Sequence, residues 1–482
     1  RGLQVVNFPD DGIQVHGAGH TLENNRIGGN GLSGISIFNA VSVTVRSNAI
    51  GVDASGRAPH PNGQTGVFLG ANARGALVED NLISGNLGKG VQLQDAGCEN
   101  NVVRGNVIGL TADGAARLPN GVGVQLYDGA RYNTIGGDTS ADRNWISGNG
   151  WTGVGLQGIS VTHNVIAGNY VGVNLYGTVA ISNGNNGIEI GGGASDNLIG
   201  GVNGTPGGAC TGACNLISGN SSNGIFIGGN GTTNNTIAGN YIGVNAAGTA
   251  AIPNGPTGKG VWILNGATDN VVGGDTPGER NVISGNDYAG IEILGPGTTG
   301  NVVIGNYIGV NASGAAALPN HGKGVFIFDG AQYNRVGGAT ASERNVISGN
   351  DGAGVQIESA GSDYNVVSGN YVGLNAAGTA ALGNTHDGVA IWNGSHNTIG
   401  GDVAGERNLI SGNDGNGVSI SGGDATGNVV SGNHIGTNGA GTAAIPNGNG
   451  VIIRDGASGN QIGGSTSGER NLISGNRYTG VT

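Results

Sequence analysis

One hydrophobic pattern repeats along the whole 482-residue chain. Stretches of the form Gly-aliphatic-x-aliphatic recur, for example "GISI" at Gly34, "GVQL" at Gly90, "GIEI" at Gly187, "GVFI" at Gly324 and "GVSI" at Gly417. Apolar residues at every second position are the signature of a half-buried strand. Each stretch leads into an "N-x-aliphatic-x-G" segment and then a further short aliphatic run, so one cycle holds about three short strands separated by Asn and Gly turns. No cycle has room for a crossover helix. Its aliphatic side chains can be buried only if the chain coils and successive cycles stack. The pattern therefore predicts an all-β fold, a single parallel β-helix solenoid over residues 1–482, with about 15 coils at a strand spacing of roughly 4.8 Å.

The hexapeptide "NVISGN" at Asn345 recurs with small changes at Asn81, Asn144, Asn215, Asn281, Asn408 and Asn471, 63 to 71 residues apart. A motif this regular describes architecture, because a catalytic site occurs once. Val and Ser should face one way and Ile the other, while Gly and Asn permit the tight bend that follows. Stacked copies are expected to hydrogen-bond their Asn side chains from coil to coil. Two coil types alternate, one with a long turn such as "NASGAAALPN" from Asn311 and the other with a turn such as "GGDTPGERN" from Gly273. Within the second, Arg143, Arg280, Arg344, Arg407 and Arg470 share one repeating position, which assigns them to turn-stabilising hydrogen bonds or surface ion pairs.

These alternating "G-I-x-I" and "N-x-I-x-x-N" segments resemble the right-handed parallel β-helix repeat families, the pectate-lyase-like superfamily and its NosD-like repeats, over essentially the whole chain. The longer "IGVNAAGTAAIPN" from Ile242 and "GERNVISGN" from Gly278 look like the Asn/Gly-rich arrays of large secreted or surface-attached bacterial proteins. The resemblance implies right-handed winding and an extracellular or cell-surface setting. It also implies that any catalytic groups lie on the outward face of the coils. The pectate-lyase and epimerase signatures themselves are not recognisable.

Composition narrows the picture. The 105 glycines show no G-X-Y period and come with only 11 prolines, which excludes collagen. A chain with 37% hydrophobic and 10% charged residues is not a disordered one. The net charge of -12, without a basic stripe, argues against a nucleic acid partner. No apolar run approaches the roughly 18 residues of a membrane span. The absence of Met and ends that fall inside the repeat suggest a piece of a longer protein. Of three cysteines, Cys210 and Cys214 in "CTGAC" predict a loop-closing disulfide, leaving Cys98 unpaired.

Candidate chemistry comes from the outward positions of the Gly-aliphatic-x-aliphatic strands. Aromatics make up 4% of the chain, yet Phe226, Trp262, Phe326, Phe328 and Trp392 fall in one central stretch of this face. Glu189, Glu292, Gln356 and Glu358 lie among them. Flat rings beside carboxylates and amides suit a sugar polymer, so Phe226, Trp262, Phe326, Phe328, Gln356 and Trp392 are the glycan-binding candidates. Loops folded over the rings, or another protein covering them, are the competing readings. Glu189, Glu292 and Glu358 are the candidate catalytic residues. A glycosidase needs carboxylates about 5 Å or roughly 6.5 to 9.5 Å apart, whereas Glu292 and Glu358, two coils apart, would be separated by about 10 Å. No metal-ligand set and no cofactor is predicted, and calcium stays open without a motif. The leading expectation is an extracellular or cell-surface repeat protein with a structural, adhesive or glycan-binding role. A polysaccharide lyase, epimerase or glycoside hydrolase, and a fibre subunit that self-associates by end-to-end stacking, are the alternatives.

Overall fold

A computed structural model describes residues 1–482. Every coil contributes one short strand to each of three parallel sheets, which makes a parallel β-helix of about 15 coils. The only helical element is a single 3-10 turn, Ala404–Glu406.

The chain divides into two compact units. The first comprises Arg1–Gly204, Cys210–Ile227 and Gly231–Asn235; the second comprises Thr205–Ala209, Gly228–Asn230 and Thr236–Thr482. Within each, a strand pairs with its counterpart one coil earlier and one coil later. In the first unit Val122–Tyr127 lies between Lys89–Gln94 and Val154–Gln157. In the second, Val325–Phe328 lies between Ile291–Leu294 and Val355–Glu358, with Phe326 in register with Glu292 and Gln356.

The aliphatic alternation is what closes the core. Ile291, Ile293, Val325, Ile327, Val355 and Ile357 all point inward and have no exposed surface. The glycine that opens each stretch has a steric reason. A Cβ at Gly354 would stand 2.5 Å from Val372 Cγ1 and 2.7 Å from the Gly388 carbonyl oxygen.

The repeated hexapeptide builds the corners. Asn345 Oδ1 accepts from the Asn306 backbone N–H at 2.9 Å and from Asn306 Nδ2 at 3.0 Å. Asn345 Nδ2 in turn donates to Asn370 Oδ1 at 2.9 Å and to the Val303 carbonyl at 2.8 Å. Asn350 belongs to a second ladder, linked to Asn320 and Asn384 at 2.9 Å each. A third runs through Asn301, Asn334 and Asn365. Asn106, Asn144 and Asn169 repeat the first ladder in the first unit. These carboxamides are buried, so pairing both of their ends is what makes the corners stable.

The first of the three sheets differs from the half-buried expectation. Val346 and Ser348 are buried although they face away from Ile347. The long turns fold back over them, held by antiparallel bridges such as Val310 with Ala317 and Leu374 with Ala381. Leu374, Leu409 and Ile445 form a small apolar cluster there, with Tyr371 against it.

The repeated Arg is a clasp between coils. Arg344 Nε donates to the Gly369 carbonyl at 3.3 Å, and the guanidinium lies 4.2 Å from the Tyr371 ring centroid. Arg280 does the same on Gly305 and Tyr307, and Arg143 on Gly168 and Tyr170. Cys210 and Cys214 are joined in a disulfide with Cα atoms 5.4 Å apart. Cys98 is free and fully buried, and burial pushes its thiol up to about 12.

Candidate functional site

The outward columns of the second sheet have the register that the repeat implies. In the second unit one column runs Trp262, Glu292, Phe326, Gln356, Ala390 and Ser419. Its neighbour runs Phe328, Glu358, Trp392, Ser421 and Arg454. Burial then separates residues that the sequence treats alike.

Phe326 does not fit its assigned role as a sugar platform. It is 4% exposed, stacked on Phe328 at 4.4 Å, with the Lys323 ammonium 4.2 Å from its ring centroid. No face of the ring is left for a sugar. Trp262 is half-buried beside the Lys259 ammonium at 4.3 Å, and Phe328 is half-buried in its stack. Phe226, in the first unit, is also half-buried. Trp392 alone among these rings is exposed, at 39%.

The candidate catalytic carboxylates are not brought together. Glu292 is 3% exposed and lies 3.6 Å from Lys259 Nζ. Burial pushes its carboxyl up, and the charges of Lys259 and Lys323 oppose that shift. Glu358 sits two strands further on in the other column and accepts from Gln356 Nε2 at 2.6 Å. Glu189, in the first unit, is tied to Gln157 at 2.7 Å, Thr152 at 3.1 Å and Asn186 at 3.2 Å. It acts as a clasp between coils.

Where the column drops from Phe326 and Gln356 to Ala390 and Ser419, the face hollows into a groove of about 620 Å³. Gln356 and Ala390 contribute to its lining, and Trp392 and Arg454 stand on the neighbouring column. The other lining comes from turns that precede the strands: Tyr288, His321, Lys323, Asp351, His386, Asp387, Asp414 and Asn416. These groups are orientated. His321 Nδ1 is 2.8 Å from Asp351 Oδ2, and His386 Nδ1 is 3.1 Å from Thr385 Oγ1. Asp387 accepts from the Asn416 backbone N–H at 2.7 Å, from Asn416 Nδ2 at 2.8 Å and from Ser419 Oγ at 2.6 Å.

Sequence reasoning missed His321, Asp351, His386, Asp387 and Asp414. Asp387 stands three positions before Ala390, and Asn416 three before Ser419. Stacking the turns coil on coil, as was done for the strands, would have grouped them. No cluster of three or more His, Cys, Asp or Glu side chains is arranged to hold a metal ion. No helix is long and apolar enough to cross a membrane.

The family described as "Right handed beta helix region" matches residues 1–199. No curated protein matches the chain. Among solved structures, it is similar to the Dettilon tailspike protein at 14% identity and a TM-score of 0.40, over 87% of this chain and 62% of that one. The chain thus spans less than two thirds of the tailspike's length. It is similar to the A-module of a mannuronan C-5 epimerase from Azotobacter vinelandii at 12% identity and a TM-score of 0.26, over 92% and 84% of the two chains. For PfbA, a surface adhesin of Streptococcus pneumoniae, the values are 14% and 0.24, over 92% and 85%. The family match lies within the first 199 residues, and the three parallel sheets give the chain the fold of a right-handed parallel β-helix.

Proposed function

We propose that the chain is an extracellular glycan-binding protein and that the Trp392 groove receives the sugar. The observation that carries this reading is the exposed indole of Trp392 in an open groove whose polar groups are already held in place. A pyranose offers an apolar face to an indole and hydroxyls to its neighbours. Asp414, His386 and Arg454 in the lining supply acceptors and donors for those hydroxyls. The disulfide between Cys210 and Cys214 favours an oxidising, extracellular setting.

Binding is favoured over cleavage for a geometric reason. A glycosidase needs an acid and a second carboxylate flanking one bond. Glu292 is buried against Lys259, and Asp387 spends both oxygens on Asn416 and Ser419.

The test is calorimetric titration with a panel of acidic and neutral oligosaccharides, with and without calcium, alongside assays for new reducing ends and unsaturated uronate. At least one glycan should bind without being cut, and Trp392→Ala should weaken it about tenfold. Product from any polymer would replace binding with catalysis, and a panel that fails to bind would sink the groove reading.

A further inference from the structure

We infer that the first unit carries a second sugar site, lined by carboxamides and selective for uncharged, hydroxyl-rich sugars. It does not rest on the Trp392 groove. Three consecutive coils of the second sheet place Gln92, Gln125 and Gly155 in one outward column and Gln94, Tyr127 and Gln157 in the next. A cavity of about 320 Å³ is lined by Lys89 and these side chains. Tyr127 is 42% exposed within it.

Gln125 and Gln157 are held with one end free, whereas Gln92 and Gln94 are paired at both ends. Gln125 Nε2 donates to the Leu126 carbonyl at 3.2 Å, and Gln157 Nε2 donates to Glu189 Oε1 at 2.7 Å. Gln92 Nε2 donates to Gln94 Oε1 at 2.5 Å. The carbonyl oxygens of Gln125 and Gln157 accept no hydrogen bond from the chain. This separates Gln125 and Gln157 from the buried Asn ladders, in which each carboxamide is paired at both ends. A ladder that served only to hold coils together would not leave acceptors open beside an exposed phenol ring.

Gly155 completes the shape. A Cβ at this position would stand 2.7 Å from Gln125 Oε1, so the missing side chain is the space into which that carboxamide leans. The chemistry of the lining then sets the ligand class. A carboxamide both donates and accepts, as a hydroxyl does, so a neutral sugar can pair with the amides, and Lys89 is the one charged group in the lining. Tyr127 offers a ring beside those amides, as sugar stacking requires.

The experiment is affinity electrophoresis through gels containing β-glucan, α-glucan, mannan or galactan, followed by calorimetry with the matching hexasaccharide. At least one neutral polymer should retard the chain. Tyr127→Ala should weaken the hexasaccharide about tenfold. Gly155→Ala, which displaces the Gln125 carboxamide and removes no lining group, should weaken it as well. Titrations repeated in a Trp392→Ala background, in which the groove is disabled, should still show binding that depends on Tyr127, which keeps this site distinguishable from the groove. Circular dichroism checks that each variant is folded. The inference fails if no neutral polymer retards the chain, if only oligouronates bind, or if folded Tyr127→Ala and Gly155→Ala variants both bind like the parent.

Discussion

The same sheet carries two unlike outward faces in the two units. In the first, Gln92, Gln94, Gln125 and Gln157 surround Tyr127. In the second, Trp392 stands with Arg454, Lys323, Asp387 and His386. The inward residues scarcely differ: Val124, Leu126, Val154 and Leu156 in one unit and Val355, Ile357, Val389 and Ile391 in the other are all fully buried aliphatics. Burial and the Asn corners hold the inward half of each coil constant, because a changed volume or an unpaired amide there is costly. Divergence is confined to outward columns and turns, so chemistry is to be sought where the repeat departs from itself.

The largest effects should come from the half that is held constant. Asn144→Ala in the first unit and Asn345→Ala in the second each remove a buried rung and orphan the backbone and side-chain groups paired with that carboxamide. Each should cost about 3 kcal/mol, measured as a lowered urea midpoint. Tyr127→Ala and Trp392→Ala should each cost less than about 0.5 kcal/mol, as surface changes do. If the outward substitutions destabilise as much as the rungs do, the division between constant scaffold and variable surface is wrong.

A second contrast concerns the two faces themselves. The groove offers ionised groups and the amide cavity offers mostly neutral ones, so salt should tell them apart. Raising ionic strength from about 0.1 to 1 M shortens the screening length to roughly 3 Å and should weaken groove binding severalfold. Binding at the amide cavity should hardly change. Equal salt sensitivity at both would show that Lys89 governs the first site.

How much of this the sequence discloses follows from the same division. Strand register is set by aliphatics and corners by asparagines, so both outward columns could be written down residue by residue. The columns alone could not say which members would be covered. Phe326 lies under Lys323 and against Phe328, and Lys323 belongs to a turn whose path no alternation encodes. Asp387 and His321 were hidden for the same reason. Each lies between a corner Asn and an outward strand position six residues on, Asn320 to Phe326 and Asn384 to Ala390, so stacking the turns groups them, but no aliphatic alternation marks those positions. The roof over Val346 was likewise invisible, because the long turn reads as polar loop until it is seen folded back on the sheet.

Buried Glu292 gives the two faces different responses to pH. Its carboxyl is raised above the ordinary 4.5 by burial, so the folded chain holds a proton that the unfolded chain releases. Its contribution to stability is complete below 4.5 and is lost as pH rises through the raised value. Glu292→Gln should flatten that decline in the second unit and leave the first untouched. Hydrogen exchange at Ile291 and Ile293, followed from acid to neutral pH, would show it. An unchanged slope in the variant would mean that Lys259 compensates the buried charge in full.

The smallest expected effect tests the clasp within the second unit. Arg344 lies over Tyr371, but Arg407, one repeat later, meets His434 in the equivalent position. Arg407 still donates to the Gly432 carbonyl at 3.2 Å, so the clasp keeps its hydrogen bond and changes only its ring. Burial, with the Arg407 charge, lowers His434 below its ordinary 6.5. The folded chain therefore favours the neutral ring, and this coil is at full stability above 6.5 and loses it as pH falls toward the depressed value. His434→Tyr should restore the guanidinium–ring contact, adding about 0.5 kcal/mol at neutral pH, and remove the acid-dependent loss. Amide exchange at Ile435, compared above and below 6.5, reads both effects. A variant that exchanges like the parent at both pH values would show that the hydrogen bond to Gly432, and not the stacked ring, is what the repeated Arg contributes.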